Sequence, residues 1–152
     1  MKKLLFVVFV LFALSGFAQK GSKRMTHFNL EKNVAIQGYD PVAYFKQGKA
    51  LKGRKEITAT YEGVVYYFSM PGNKEYFLKN PSKFEPQYGG WCAFAMGDSN
   101  EKVSVNPETY KIINGKLYLF YNAFFNNTLK IWNKNESGLM MKADSNWNKI
   151  IN

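Results

Sequence analysis

One cysteine, Cys92, closes the run Tyr88-Gly89-Gly90-Trp91-Cys92. Its thiol is the softest donor and strongest nucleophile in the chain. The two glycines before it permit a tight or left-handed backbone and can turn amide donors towards a thiolate, a metal or a carboxylate. Reactivity would require a lowered thiol pKa, set by a neighbouring cation or a helix N-terminus. The plainer reading is a buried free cysteine acting as a small hydrophobe. A soft ion such as copper would pair Cys92 with Met70, Met96 or the single histidine, His27. Zinc asks for more Cys or His than the chain holds, and no Cys-x-x-Cys or His-x-x-x-His spacing occurs. Cys92, Met96 and His27 are therefore the candidate ligands for a transition metal, the one cofactor class worth carrying forward. Against them stand methionine as core filler and His27 as an ordinary surface histidine.

Asp40 precedes Pro41 and suits a helix N-cap followed by proline at the first helical position. Capping satisfies the carboxylate without further duty. Asp98 and Glu101 fall in the polar stretch Gly97 to Lys102. No Ser-His-Asp set is credible with one histidine outside the aromatic segments, and no glycine-rich phosphate loop leads into a helix. No residue is read as catalytic. Tyr39, Tyr44, Tyr66, Tyr67, Tyr88 and Trp91 could line a shallow groove for a flat organic ligand or a sugar ring, or pack a core with hydroxyls at its edge. The candidate ligand or thiol site is then Cys92, Tyr88, Gly89, Gly90, Trp91, Asp40 and Tyr44. Two Asn-x-Ser/Thr sequons, at Asn126 and Asn135, are discounted because the leader is of bacterial type.

Alternating and turn-rich segments must position these residues. Val34-Ala35-Ile36 reads as a short strand, Val42 to Lys46 as a short helix behind Asp40-Pro41, and Gln47 to Lys55 as a loop. Ile57 to Tyr61 and Val64 to Phe68, split by Glu62-Gly63, predict a tight hairpin. A helix is expected from Asn73 to about Lys79, with Tyr76 and Phe77 partly inward and Pro81 stopping it. Trp91 to Ala95 reads as a buried strand. Asn106-Pro107-Glu108 mirrors Asp40-Pro41 as a cap. Lys111 to Ile113 and Lys116 to Phe120 flank a strong Asn114-Gly115 turn. Asn122 is expected to cap a helix from Ala123 to about Lys134, and Leu139 to Ile150 to form a closing helix or helix pair stapled by Trp147. The hairpins align at an offset of 52: Gly63 with Gly115, Tyr66 with Tyr118, Phe68 with Phe120, Phe77 with Leu129. Two related hairpin-helix units sharing one small antiparallel sheet would explain this. Convergent patterning would too, since such spacing suits any half-buried hairpin. The fold class is α+β, with flanking helices.

The first 18 residues read as a secretory leader. Lys2-Lys3 precede the apolar run Leu4 to Leu14, which is short for a span, and Ser15-Gly16-Phe17-Ala18 supplies a cleavage site. Residues 19–33 are expected to be a polar, basic and loose lead-in, and 34–152 one domain. The chain carries a formal net charge of +10, still about +8 once Lys2 and Lys3 leave. In an exported protein that charge points to anionic lipid, surface polysaccharide or acidic proteins rather than nucleic acid. Scattered solvating lysines are the plainer alternative. A lone cysteine cannot form an internal disulfide, so the core must hold by packing, for which the 17% aromatic content is ample.

Three segments, Gly38-Tyr39-Asp40-Pro41-Val42-Ala43-Tyr44-Phe45, Val65 to Phe84, and Tyr88-Gly89-Gly90-Trp91-Cys92-Ala93, together resemble the YHS domain. The likeness runs from about Val34 to Trp147 and also takes in Gly115-Lys116-Leu117-Tyr118-Leu119, as in that family's exported single-domain branch. The resemblance implies a hairpin-helix core related to treble-clef zinc modules. It places thiol ligands after Asp-Pro-Val and after the aromatic strand, where this chain has Ala43 and Ser69 instead, so metal binding does not carry over. The combined expectation is a periplasmic or secreted binding or accessory module, with a small molecule or a periplasmic protein as partner and no transmembrane span after leader cleavage. Metal handling through Cys92 and thiol redox chemistry are the alternatives.

Overall fold

Two tight turns organise the chain. Glu62-Gly63 and Asn114-Gly115 hold left-handed φ at both central positions, +47° and +86° in the first and +51° and +73° in the second. That geometry matches the right-handed twist of the strands it joins. A computed structural model describes residues 23–152; the leader and its cleavage site lie outside the described residues. The elements in order are a helical turn over 23–27 (α1), β1 (Leu30–Glu31), β2 (Val34–Ala35), a 3-10 turn (Ile36–Gly38), α2 (Ala43–Lys46), β3 (Arg54–Tyr61), β4 (Val64–Phe68), α3 (Pro71–Lys79) and α4 (Pro81–Phe84). A second 3-10 turn (Gln87–Gly90) leads to α5 (Ala93–Asp98), β5 (Asn106–Ile113), β6 (Lys116–Phe120), β7 (Asn122–Ala123), β8 (Asn126–Asn127), α6 (Thr128–Trp132) and α7 (Glu136–Ile151). The class is α+β with small sheets. The hairpins do not share one sheet: β3-β4 lie in the order β1-β2-β4-β3, while β5-β6 form a separate two-stranded sheet.

The internal repeat is deeper than the hairpins. Arg54 pairs with Phe68 and Thr58 with Tyr67 across a bulge; 52 residues on, Asn106 pairs with Phe120 and Tyr110 with Leu119 across an equivalent bulge. The parallel contact Val34 to Val65 recurs as Pro86 to Leu117. Three successive left-handed residues, Ile36, Gln37 and Gly38, recur as Tyr88, Gly89 and Gly90. The Asp40 amide donates to Leu51 O at 2.8 Å, and the Cys92 amide to Val103 O at 2.9 Å. Gln47 N to Ala43 O recurs as Ser99 N to Ala95 O. Residues 34–69 and 86–121 therefore follow one hydrogen-bond plan without insertion or deletion. Chance patterning of a hairpin cannot reproduce a bulge, a left-handed triplet and a set of loop bonds in register.

This register corrects several expectations. The counterpart of Asp40 is Cys92, not Asn106. Asn106-Pro107-Glu108 opens β5, and Pro107 falls in the bulge, where no ladder bond needs its missing N–H. Trp91 to Ala95 is not a strand: after one bridge at Cys92 the chain becomes α5. Its small residues let α7 approach, to the point that a Cβ on Gly97 would lie 2.4 Å from Leu139 O. Asn122 caps nothing, because its amide donates to Thr109 Oγ1 at 3.0 Å. The segment forms β7 and β8 instead, and Asn127 caps α6 through the Leu129 amide at 3.1 Å. α3 starts at Pro71, two residues before Asn73, with proline at its first turn; Phe77 is buried and Tyr76 is 46% exposed.

The lead-in is not loose where described. Arg24 is 7% exposed, ion-paired with Glu85 and with Glu62, and stacked over the Phe28 ring at 4.5 Å and the Tyr61 ring at 5.1 Å. Packing falls into two clusters. One runs from the four-stranded sheet to the β5-β6 hairpin and includes Val42, Tyr44, Phe68, Phe77 and Cys92. The other joins Tyr88, Met96, Tyr118, Phe120 and Trp132 to α7.

Candidate functional site

Asp40 and Cys92 are equivalent positions with unlike chemistry. Asp40 is fully buried. Its Oδ1 accepts from the amides of Val42 at 2.9 Å and Ala43 at 3.2 Å, the expected cap. Its Oδ2 accepts from the Ser69 amide at 2.8 Å, the Ser69 hydroxyl at 2.7 Å and Asn73 Nδ2 at 2.7 Å. Asn73 is fixed in turn by Gln47, whose Oε1 accepts from the same Nδ2 at 3.2 Å. Ala43 and Ser69, where the YHS resemblance places thiols, thus converge on this carboxylate as hydrogen donors. A cation needs converging lone pairs. The residues present offer the opposite polarity and do not fit a metal.

Cys92 is also fully buried. The Tyr121 amide donates to its sulfur at 3.4 Å, the counterpart of the Ser69 amide on Asp40. Thr128 Oγ1 lies 3.4 Å from the sulfur and donates its proton to Tyr121 O at 2.9 Å. A hydroxyl has one hydrogen, so the thiol hydrogen is the one that bridges Cys92 to Thr128. The ring of thiol, threonine and Tyr121 backbone closes on itself inside the core, which is a structural arrangement. Met96 packs in the second cluster and Met70 is 41% exposed. His27 Nδ1 faces Lys102 Nζ at 3.0 Å, a competing cation. Among the described residues no three of His, Cys, Asp and Glu gather. The proposed ligands Cys92, Met96 and His27 are not brought together.

The rest of the Tyr88 to Cys92 run is a junction. Gly89 takes φ +60° and approaches so closely that a Cβ would meet Phe28 and Trp147 at 2.8 Å each. The Asn29 amide donates to Gly89 O at 2.9 Å, Asn29 Nδ2 to Gly90 O at 3.1 Å, and Trp91 Nε1 to His27 O at 2.6 Å. Tyr88 donates its hydroxyl to Asp144 at 2.8 Å. Burial and then this carboxylate hold the Tyr88 phenol far above its ordinary pKa. The motif therefore clamps the N-terminal segment and α7 to the body. Tyr44 likewise serves the core: it donates to Pro107 O at 2.9 Å and meets Tyr110 edge-on at 4.7 Å. Burial drives its phenol far up as well.

Two features carry no local sequence signature. One is the Arg24 cluster, in which Tyr66 also donates to Glu85. Burial opposes the Arg24 charge, but Glu85 overcomes it and the guanidinium pKa rises; burial and then Glu85 push the Tyr66 phenol well up. No pattern marks a single arginine in a basic stretch. The other is a cleft of about 560 Å3 lined by Glu31, Lys32, Val34, Gln37, Lys55 and Tyr67 at Gly38. Its counterparts 52 residues on include Phe84, Pro86, Gly89, Gly90, Pro107 and Leu119, all buried. They are covered by Phe28 and Asn29 on the glycines, Tyr44 on Pro107 and Phe45 on Phe84, with rings 5.5 Å apart. One unit of the repeat is thus covered at this place and the other is open. The one signal for this cleft is the 52-residue offset, extended from the hairpins to the glycine turns.

No family model, curated protein or solved structure matches this chain.

Proposed function

We propose that this chain is an exported, non-catalytic binding module on a YHS-like scaffold, and that the open cleft of its first repeat unit is its ligand surface. The observation that carries this reading is the asymmetry of the repeat. In the second unit the end of α1 and the two residues after it, His27 to Asn29, sit on the glycine turn through backbone, Asn29 amide and Trp91 indole hydrogen bonds. In the first unit the equivalent turn, with Ile36 and Gly38 buried and Gln37 partly exposed, borders the open cleft, and among the described residues Gln37 O, the counterpart of Gly89 O, accepts from the exposed Lys52 ammonium at 2.7 Å. An incoming N–H can take that place at little cost, because the lysine is resolvated. Lys32 and Lys55 outnumber Glu31 in the cleft beside Tyr67, which favours a peptide carrying a carboxylate.

The closed rings at Asp40 and Cys92 support the non-catalytic part. Each holds its reactive group in internal hydrogen bonds rather than towards a cavity. Export rests on the leader-like start, and a periplasmic or secreted location follows from it. The experiment is an amide-shift titration of the protein with a peptide of residues 26–31, Thr-His-Phe-Asn-Leu-Glu, the segment that fills the second unit's turn. Saturable shifts at Gln37, Gly38, Lys55 and Tyr67, lost in Lys55→Glu/Tyr67→Ala, are expected. Shifts scattered elsewhere, or unaffected by the double substitution, sink the reading.

A further inference from the structure

The β7-β8 hairpin ends in Phe124-Phe125, which are 90% and 111% exposed. Both take left-handed φ, +49° and +64°, a conformation that bulky side chains avoid. Of the other hairpins, β3-β4 and β5-β6 place Glu62-Gly63 and Asn114-Gly115 at such turns, where glycine removes the strain, and β1-β2 places Lys32-Asn33 there at φ +49° and +70°, with asparagine the non-glycine residue that tolerates it best. Here the same backbone carries two phenyl rings that touch little else. The turn is unfavourable in backbone and in hydration together.

The tip is held rigidly from below. Asn122 is tied to Thr109, the Thr128 amide and hydroxyl both donate to Tyr121 O, and the Cys92 ring sits beneath them. Asn126-Asn127 lead straight into α6, whose exposed Lys130 and Ile131 follow within one turn. From Thr109 to Asn135 the chain carries Lys111, Lys116, Lys130 and Lys134 and no acidic residue, and Lys111 is ion-paired with Glu136 just beyond it. Two presented aromatics followed by the exposed Lys130 and Lys134, on a chain that keeps a net charge of about +8 once Lys2 and Lys3 leave, match a bilayer interface with anionic headgroups, where aromatic rings settle and lysines find counter-charge.

We infer that Phe124-Phe125 is a membrane-docking tip that seats this protein on anionic lipid surfaces. The inference is independent of the peptide cleft. It is tested by co-sedimentation of the protein with phosphatidylcholine vesicles, with and without phosphatidylglycerol, comparing wild type with Phe124→Asn/Phe125→Gly. That variant installs the turn chemistry of Asn114-Gly115, so it is expected to keep the fold and to raise the melting temperature. Wild type is expected to partition to phosphatidylglycerol vesicles, to lose this with added salt, and to outbind the variant about tenfold or more. Equal partitioning of wild type and a folded variant overturns the inference. So does equal binding to phosphatidylcholine alone, or self-association of wild type through the tip without vesicles, which would assign the phenyl rings to a protein contact.

Discussion

At the scale of single residues, the two equivalent centres differ in how much each can tolerate. Five hydrogens point at the Asp40 carboxylate. Asp40→Asn keeps the shape but turns an NH2 towards the donors of either Oδ1 or Oδ2, whichever way the amide flips. Donor then faces donor in a site closed to water, and the loss should be about 3 kcal/mol. Cys92→Ser keeps one donor and one acceptor in the same ring, on a shorter bond, and should cost about half as much. Denaturant unfolding of the two variants checks this. A milder Asp40→Asn than Cys92→Ser would mean that the carboxylate is not the organising charge of the first unit. The cap role of Asp40 was legible in the dipeptide Asp-Pro, because capping is local. The Ser69 and Asn73 contacts were not, because they come from an element 29 and 33 positions on.

At the scale of elements, the turns were readable and the long-range docking was not. Glu62-Gly63 and Asn114-Gly115 announce hairpins because two-residue loops demand left-handed residues. Tyr88-Gly89-Gly90 announced only an unusual backbone. Its reason, the seating of Phe28 and Trp147, depends on segments far away in both directions. The helix expected after Asn122 failed because Asn122 found Thr109 across β5, a partner outside any local window. The same distinction separates two glycines in the variants they tolerate. Gly115 has φ +73° and open space where a methyl group would sit, whereas Gly89 has φ +60° and two rings at 2.8 Å from that point. Gly115→Ala should lose about 1 kcal/mol, the left-handed penalty alone. Gly89→Ala should lose about 3 kcal/mol or more, since strain and overpacking combine, and should release the N-terminal segment. Melting curves, with hydrogen exchange at Asn29 as reporter, distinguish the two; equal losses would show that the junction is soft.

At the scale of the whole molecule, the repeat distributes buried phenols through both clusters, and that makes stability depend on alkaline pH. Tyr44, Tyr66, Tyr88 and Tyr118 all have raised pKa values, with burial the first cause in each. In the unfolded chain each phenol ionises near about 10. Above that value the unfolded state has released protons that the folded state retains, so the unfolded state binds fewer, and the free energy of unfolding falls as pH rises. The contribution of these tyrosines is fully present below about pH 10 and is lost as pH climbs from there towards the folded values. Each titrating phenol removes up to about 1.4 kcal/mol per pH unit in that window. Four together exhaust a typical stability of about 5–15 kcal/mol within a few units. Tyr66 is held up first by burial and then by Glu85, beside which its ionisation would set a second anion, while the Arg24 guanidinium works the other way. Phenolate absorbance and far-UV circular dichroism should therefore change in one cooperative step, with these four tyrosines ionising as the chain unfolds. Tyr44→Phe should make that transition shallower in pH by deleting one coupled proton. Gradual phenolate growth to completion with the dichroism unchanged would mean that the two clusters admit water, and that packing alone does not hold this disulfide-free core.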